Sequence, residues 1–200
     1  MRIAINERDT HYALQDCSMT LSGSLVRLGP VDLAAAPEAF ARWRNDSEYS
    51  RLLGDTPMPD LAPAIRRHLE QYVPGDMLRF LIYTLADDRL IGFINLWPNK
   101  IDRDCWIGIA IGDAADRGKG HGTDTMRITL RYLFEELEME RASLGVFADN
   151  LRAVRSYQRA GFVVEGVQRE EVLREGRRWD TMIMGVLRRE WAPQAGSPLQ

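Results

Sequence analysis

Asp116-Arg117-Gly118-Lys119-Gly120-His121-Gly122-Thr123 is the stretch on which the reading of this chain turns. It follows an apolar run, Cys105–Ile111 (CWIGIAI), and opens a helical pattern. Three glycines at alternate positions let backbone N–H groups face one concavity, with no side chain in the way of a phosphate. The helix that starts there adds a partial positive charge, and Arg117 and Lys119 add ionic contacts. The segment reads as an anion cradle suited to a pyrophosphate. Two common nucleotide loops are excluded. The pattern GxxxxGK[ST] fails because Lys119 is followed by Gly120 and no glycine stands five residues before Gly118. GxGxxG fails because Gly118-x-Gly120 is followed by Gly122 and then Thr123. What fits is [QR]xxGx[GA], as Arg117-x-x-Gly120-x-Gly122.

Working outward, three nearly continuous apolar runs precede the loop: 77–85, 90–97 and 105–111. They read as strands of a sheet covered on both faces, the first two joined as a hairpin at Asp87-Asp88-Arg89 and the next turn falling at Pro98-Asn99-Lys100. Before them come a strand near 24–28, a helix capped by Asp32 and running to about Asn45, a proline-punctuated loop over 46–63 and a second helix to about Tyr72. After the loop, 122–138 has the apolar stripe of a helix, with Met126, Leu130, Leu133, Phe134 and Leu137. A strand at 143–148, a helix at 151–160 and two strands near 163–173 and 182–187 complete the order, the last two split by Glu175-Gly176. This predicts an α/β (α+β) fold: a mixed sheet of six or seven strands with helices on both faces. Residues 1–20 are expected to form an N-terminal arm, 21–191 a single domain and 192–200 a flexible tail.

Bulk properties exclude several classes. The 200 residues suffice for one sizeable core. With 26 basic against 29 acidic residues, the net charge of −3 does not suit a nucleic-acid binder. The N-terminal stretch has no apolar signal-peptide core, and no run approaches the roughly 20 apolar residues that span a bilayer. Cys17 and Cys105 make no disulfide framework, and His11, His68 and His121 form no metal-ligand pattern. The expectation is a cytoplasmic protein without metal, nucleic-acid or membrane partner.

A second motif follows about 28 residues after the loop: Asn150-Leu151-Arg152-Ala153-Val154-Arg155-Ser156-Tyr157-Gln158-Arg159-Ala160-Gly161-Phe162. Asn150 is a good helix N-cap and Gly161 a good stop. Together the two blocks resemble the GNAT superfamily of N-acetyltransferases, in the right order and spacing. The likeness spans roughly 24–191. It is greatest to the branch of ribosomal-protein N-terminal and spermidine acetyltransferases, through IGIAIGDAADRGKGHGTD and RRWDTMIMGVLRREW. The resemblance implies a twisted sheet whose fourth and fifth strands (105–111 and 143–148) splay apart, with the pantetheine arm of acetyl-CoA between them. It implies cofactor contacts from Ile109 and Ile111 and from the loop residues Arg117, Gly118, Lys119, Gly120, His121, Gly122 and Thr123, with Asn150 and Ser156 from the second block. Homodimers are common among such relatives.

The implied reaction needs an amine to lose a proton, an oxyanion to be stabilised and a thiolate to be protonated. By resemblance Tyr157 sits near the cofactor sulfur and is the candidate acid, and a backbone N–H near Ile109 is the oxyanion donor. Many relatives carry a glutamate base two residues before the glycine matching Gly108; here that residue is Trp106. Asp104, on the same strand face, is the substitute candidate. Trp43, Tyr49, Trp97, Trp106 and Trp179 are candidate walls of the acceptor site, with Asp46, Glu48, Asp55 and Asp60 as nearby negative charge. The acceptor is expected to be a protein N-terminus, a polyamine or another small amine. Rival readings are a domain that binds acetyl-CoA without turning it over and an enzyme using a longer acyl-CoA.

Overall fold

The computed structural model describes residues 19–53, 62–72 and 76–192. Asp55, Asp60 and the expected arm and tail lie outside the described residues, apart from residues 19, 20 and 192.

Among the described residues eight strands form one sheet in the order β1-β2-β3-β4-β5-β6-β8-β7. They are β1 (Leu21–Ser22), β2 (Val26–Gly29), β3 (Leu78–Thr84), β4 (Leu90–Asn99), β5 (Asp104–Ile111), β6 (Arg141–Phe147), β7 (Val163–Arg174) and β8 (Arg177–Leu187). The extra strand is β1, a two-residue piece too short to show a period; it pairs Leu21 with Leu28. Its turn is pinned from below: the buried Asp124 carboxylate accepts from the N–H groups of Ser24 (3.2 Å), Leu25 (2.7 Å) and Val26 (3.0 Å). All ladders are antiparallel except β5–β6. Strand β4 runs through Pro98, past Leu96, its last residue paired to β3, so the missing N–H interrupts no β3 ladder. The turn therefore falls later than expected, at 100–103, with Arg103 at φ +53°.

Among the described residues five α-helices cover the sheet: α1 (Ala36–Arg44), α2 (Ser47–Leu53), α3 (Ala62–Glu70), α4 (His121–Arg131) and α5 (Leu151–Ala160). One face packs α4 and α5 over Ile91, Ile94, Leu96, Ile107 and Leu144. The other carries α1 and α3, with Phe40, Trp43 and Leu69 against Leu81, Tyr83 and Ala110. Helix α2 falls within the expected 46–63 loop. Asp46 starts it by accepting from the N–H groups of Glu48 (2.8 Å) and Tyr49 (3.1 Å). Helix α4 ends in a π turn over Tyr132–Glu136. No helix among the described residues is long and apolar enough to cross a membrane.

Candidate active site

The sheet opens at one place. Strands β5 and β6 pair only at Asp104–Arg141, Cys105–Ala142 and Trp106–Ser143; beyond that, β6 stays with β8 while β5 stays with β4. From Ile107 onward the β5 edge facing β6 has no strand partner. A cavity of about 1120 Å³ fills the divergence. It is lined by every residue of β5 from Trp106 to Ile111, so it touches both faces of that strand and passes through the sheet. On the α4/α5 side lie Ile109, Ile111, the glycine loop and one flank of α5. On the other side lie Phe93, Asn95, Trp97, Trp106 and Tyr49.

The loop has the expected backbone. Gly118 and Gly120 adopt φ +78° and +93°, values that carry strain for any residue with a Cβ. Gly120 is the N-cap of α4. Among the described residues, no protein acceptor takes the N–H groups of 118–123, which leaves them for an anion. The Asp116 carboxylate, almost fully buried, receives both arms of Arg89 at 2.7 and 2.9 Å. That pairing holds its pKa below the usual carboxylate range and fixes the start of the loop. His121 Nδ1 lies 3.2 Å from the Asp116 carbonyl. Lys119 is exposed.

The Arg117 side chain serves the protein. Its guanidinium donates to Glu48 Oε2 (2.7 Å), Asp46 Oδ2 (2.9 Å) and the carbonyls of Ile111 and Gly112. Burial alone would raise the Asp46 carboxyl, but the Tyr49 and Glu48 N–H groups and Arg117 outweigh it and hold it low. Glu48 also takes Arg152 at 3.1 Å. Two of the four acids expected to charge the acceptor site, Asp46 and Glu48, are thus paired with arginines.

Helix α5 brings the second motif to the gap. Asn150 Oδ1 accepts from Ala153 N at 3.1 Å, a helix cap that still lines the cavity. Ser156 Oγ sits 2.9 Å from Thr123 Oγ1, which ties α5 to the first turn of α4. Tyr157 borders the cavity and is 9% exposed; burial pushes its phenol up to about 12. Arg152, Arg155 and Arg159 border it from the same helix. Their spacing of three and four, one helix face, is the signal that would have singled them out in the sequence.

Other expectations fare differently. Asp104 sits at the closed end of the divergence, opposite Arg141 and Asn99, and is not among the residues around the cavity. Trp43 is 1% exposed and packs under Gly112, where a Cβ would come within 2.0 Å of the indole. Trp179 stacks with Arg174 and Arg177 near the β7–β8 turn, away from the cavity walls. Glu171, Thr181 and Ile183 from β7 and β8 do line it, and no motif marked them. Among the described residues no cluster of His, Cys, Asp or Glu could hold a metal ion.

A sheet split between two strands, with a helix-capping glycine cradle at the mouth of the split, defines an acyltransferase that works on a nucleotide thioester. The chain belongs to the GNAT acetyltransferases: the family model described as "Acetyltransferase (GNAT) domain" matches residues 26–163. It is 34% identical to a probable N-acetyltransferase of Bacillus subtilis, YjcK, over 62% of this chain and 68% of that protein. It is 32% identical to a putative ribosomal N-acetyltransferase of the same organism, YdaF, over 54% of this chain and 58% of that one. In three dimensions it matches the spermidine N-acetyltransferase of Vibrio cholerae, solved with CoA and spermine. The TM-score is 0.73 at 23% identity, covering 82% of this chain and 96% of the other. The chain is an N-acetyltransferase, acetyl-CoA is its co-substrate and an amine is the acceptor.

Proposed function

We propose that the protein, as a single acyltransferase domain over 21–191, acetylates the α-amine of a peptide or protein N-terminus. The observation that carries this is the make-up of the cavity's acceptor side. Leu52, Leu53, Phe93, Trp97 and Trp106 supply apolar wall, and among the described residues that line it Glu171 is the one carboxylate other than the Arg89-bound Asp116. Asp46 and Glu48 are engaged by arginines. Among the described residues a polycation would meet little free negative charge there. A peptide α-amine, with a pKa of about 8, is roughly a tenth neutral at pH 7 without a base. A polyamine nitrogen near 10.4 is far less so. With Trp106 where relatives carry glutamate and Asp104 outside the cavity, the site favours an amine that arrives neutral. The similarity to a putative ribosomal N-acetyltransferase supports the same class.

In this reading the N–H groups of Gly118–Thr123 hold the pyrophosphate of acetyl-CoA, which supplies the activated acetyl group. Lys119 and the Arg155 and Arg159 side chains stand at the same mouth for its remaining phosphate. Ile109 and Ile111 offer the unpaired edge of β5 to the pantetheine amides, and the N–H near Ile109 faces the thioester oxygen. Tyr157 gives its proton to the departing thiolate. Against a thiol of pKa about 8.5 in water that transfer runs uphill. Burial raises an enclosed thiolate's pKa as it raises the phenol's, which narrows the gap. The cytoplasm, where thiols such as the buried Cys105 stay reduced, is the proposed compartment.

Free-thiol release from acetyl-CoA, measured over a panel of short peptides, spermidine and aminoglycosides, tests the proposal. The expected result is turnover of peptides with a free α-amine and none of their N-blocked forms. A higher kcat/KM for spermidine than for every peptide would overturn it.

A further inference from the structure

Trp97 and Trp106 stand directly opposite each other on β4 and β5. Both border the cavity, and both are partly open, 39% and 43% exposed. Two glycines make room for the indoles. A Cβ on Gly108 would lie 3.1 Å from the Trp97 ring, and one on Gly145 would lie 3.4 Å from Trp106 Cζ2. The Trp106 indole therefore reaches across the base of the divergence and lies over β6, where β5 and β6 last pair. A methyl group at Gly108 would make the Trp97 ring give by a few tenths of an ångström, and one at Gly145 would sit in contact with Trp106. Each indole is only partly covered by the protein and borders the cavity with the rest. Neither belongs to the two buried core clusters, and neither ring appears in an aromatic stack or a cation–π contact among the described residues.

Resting on the N-acetyltransferase reading above, we propose that Trp97 and Trp106 form the seat for the group attached to the acceptor amine. The seat selects amines that carry an aromatic or large apolar substituent close to the nitrogen. On a peptide this means a bulky apolar first residue such as Phe, Leu or Met, in preference to Ala or Ser. The physical reason is area: a phenyl or isobutyl group laid on two indoles removes apolar surface from water on both sides, which a methyl group cannot do. The position also explains what replaces the glutamate. An indole at 106 cannot take a proton, so it contributes binding beside the reacting centre instead of basicity.

The test is kcat/KM for peptides that differ only at the first residue (Phe, Leu, Ala, Ser), alongside phenethylamine and ethylamine. Wild type, Trp97→Ala, Trp106→Ala and the milder Trp106→Phe are compared. The expected preference for Phe and Leu over Ala and Ser is about tenfold or more, expressed chiefly in KM. It falls towards one in both alanine variants and is partly kept by Trp106→Phe. The melting-temperature rise given by acetyl-CoA certifies that each variant is folded. Turnover of phenethylamine over ethylamine, with no peptide accepted, would overturn the peptide reading and leave the seat standing. Equal kcat/KM across the first residues, a preference that survives both alanine substitutions, or no turnover of any aromatic or bulky amine overturns the seat itself.

Discussion

The Arg117 guanidinium lies 2.7 Å from Glu48, with Asp46 at 2.9 Å on its second arm, so the first residue of the glycine motif grips the start of α2. The arginine side chain is only 6% exposed. Replacing it with alanine leaves two carboxylates and two carbonyls facing an emptied site. Because both carboxylates keep some solvent and Glu48 keeps Arg152, the expected cost is about 2 kcal/mol, or a melting temperature lower by roughly 6 °C for a chain of this size. Arg117→Lys recovers little of it, because an ammonium on a flexible stem cannot span both carboxylates in one plane. Thermal unfolding followed by circular dichroism checks this. A variant as stable as wild type would show that the pairing holds nothing together.

Tyr157 offers a cleaner separation of chemistry from stability. Its phenol loses one oxygen in Tyr157→Phe, and among the described residues no protein group bonds to that oxygen. Stability and acetyl-CoA binding are expected to stay near wild type while kcat falls by about 10²–10⁴. The pH profile adds a second check. With its pKa pushed up to about 12, Tyr157 keeps its proton through pH 10. For a peptide acceptor, kcat/KM should therefore rise to a plateau near the amine's own pKa of about 8, with no falling limb below pH 10. The Phe variant should show the same rise on a lower plateau. A falling limb near pH 8 in the wild type alone would point to a different acid.

How far the residues could be read without coordinates depended on whether the signal was local. The glycine loop and the Asn150–Gly161 helix were legible because caps, glycines and apolar spacing lie within a few residues of each other; α5 begins and ends where its caps say. The strands of the central sheet were legible as apolar runs. Helix α2 was not, although Asp46 ahead of Ser47 and Glu48 is a capping signal, because the prolines that follow dominated the reading of that segment. The roles of Arg117 and Asp104 depended on tertiary partners. No spacing rule says that Arg117 turns towards α2, or that β5 and β6 remain joined beside Asp104 and part only after Trp106. Which residues of the β7–β8 hairpin line the acceptor side was hidden for the same reason: Glu171, Thr181 and Ile183 reach the cavity only through long-range pairing.

The two left-handed glycines of the cradle should respond differently to the same substitution. At Gly118 a Cβ meets no atom within 4 Å, so Gly118→Ala carries only the backbone strain of φ +78°, about 1 kcal/mol. At Gly120 the strain at φ +93° is joined by contact with Leu25 Cδ1 at 3.2 Å, and the residue caps the helix whose N–H groups face the anion. Gly120→Ala is expected to raise Kd for acetyl-CoA by about tenfold or more, the equivalent of roughly 1.4 kcal/mol, and Gly118→Ala by less. Isothermal titration with acetyl-CoA separates the two. Equal losses would mean that the methyl group obstructs the ligand itself at both positions.

Asp116 and Arg89 make the loop's stability depend on pH in a definite direction. The Arg89 hydrogen bonds lower the Asp116 pKa in the folded protein below its ordinary value of 3.8. A carboxyl whose folded pKa is depressed contributes its full stabilisation above the unfolded value, and that contribution is lost as pH falls through the folded value. Wild type should therefore hold its melting temperature from neutral pH down to about 5, then lose it progressively below about 4. Asp116→Asn removes the charge but keeps the size, leaving Arg89 with one weaker acceptor. It should melt lower than wild type at pH 7, and the difference should shrink as the solution is acidified, because protonated Asp116 resembles the amide. Melting curves from pH 3 to pH 8 measure this. A gap between the two proteins that is constant across that range would show that the ionised carboxylate is not what holds the start of the cradle.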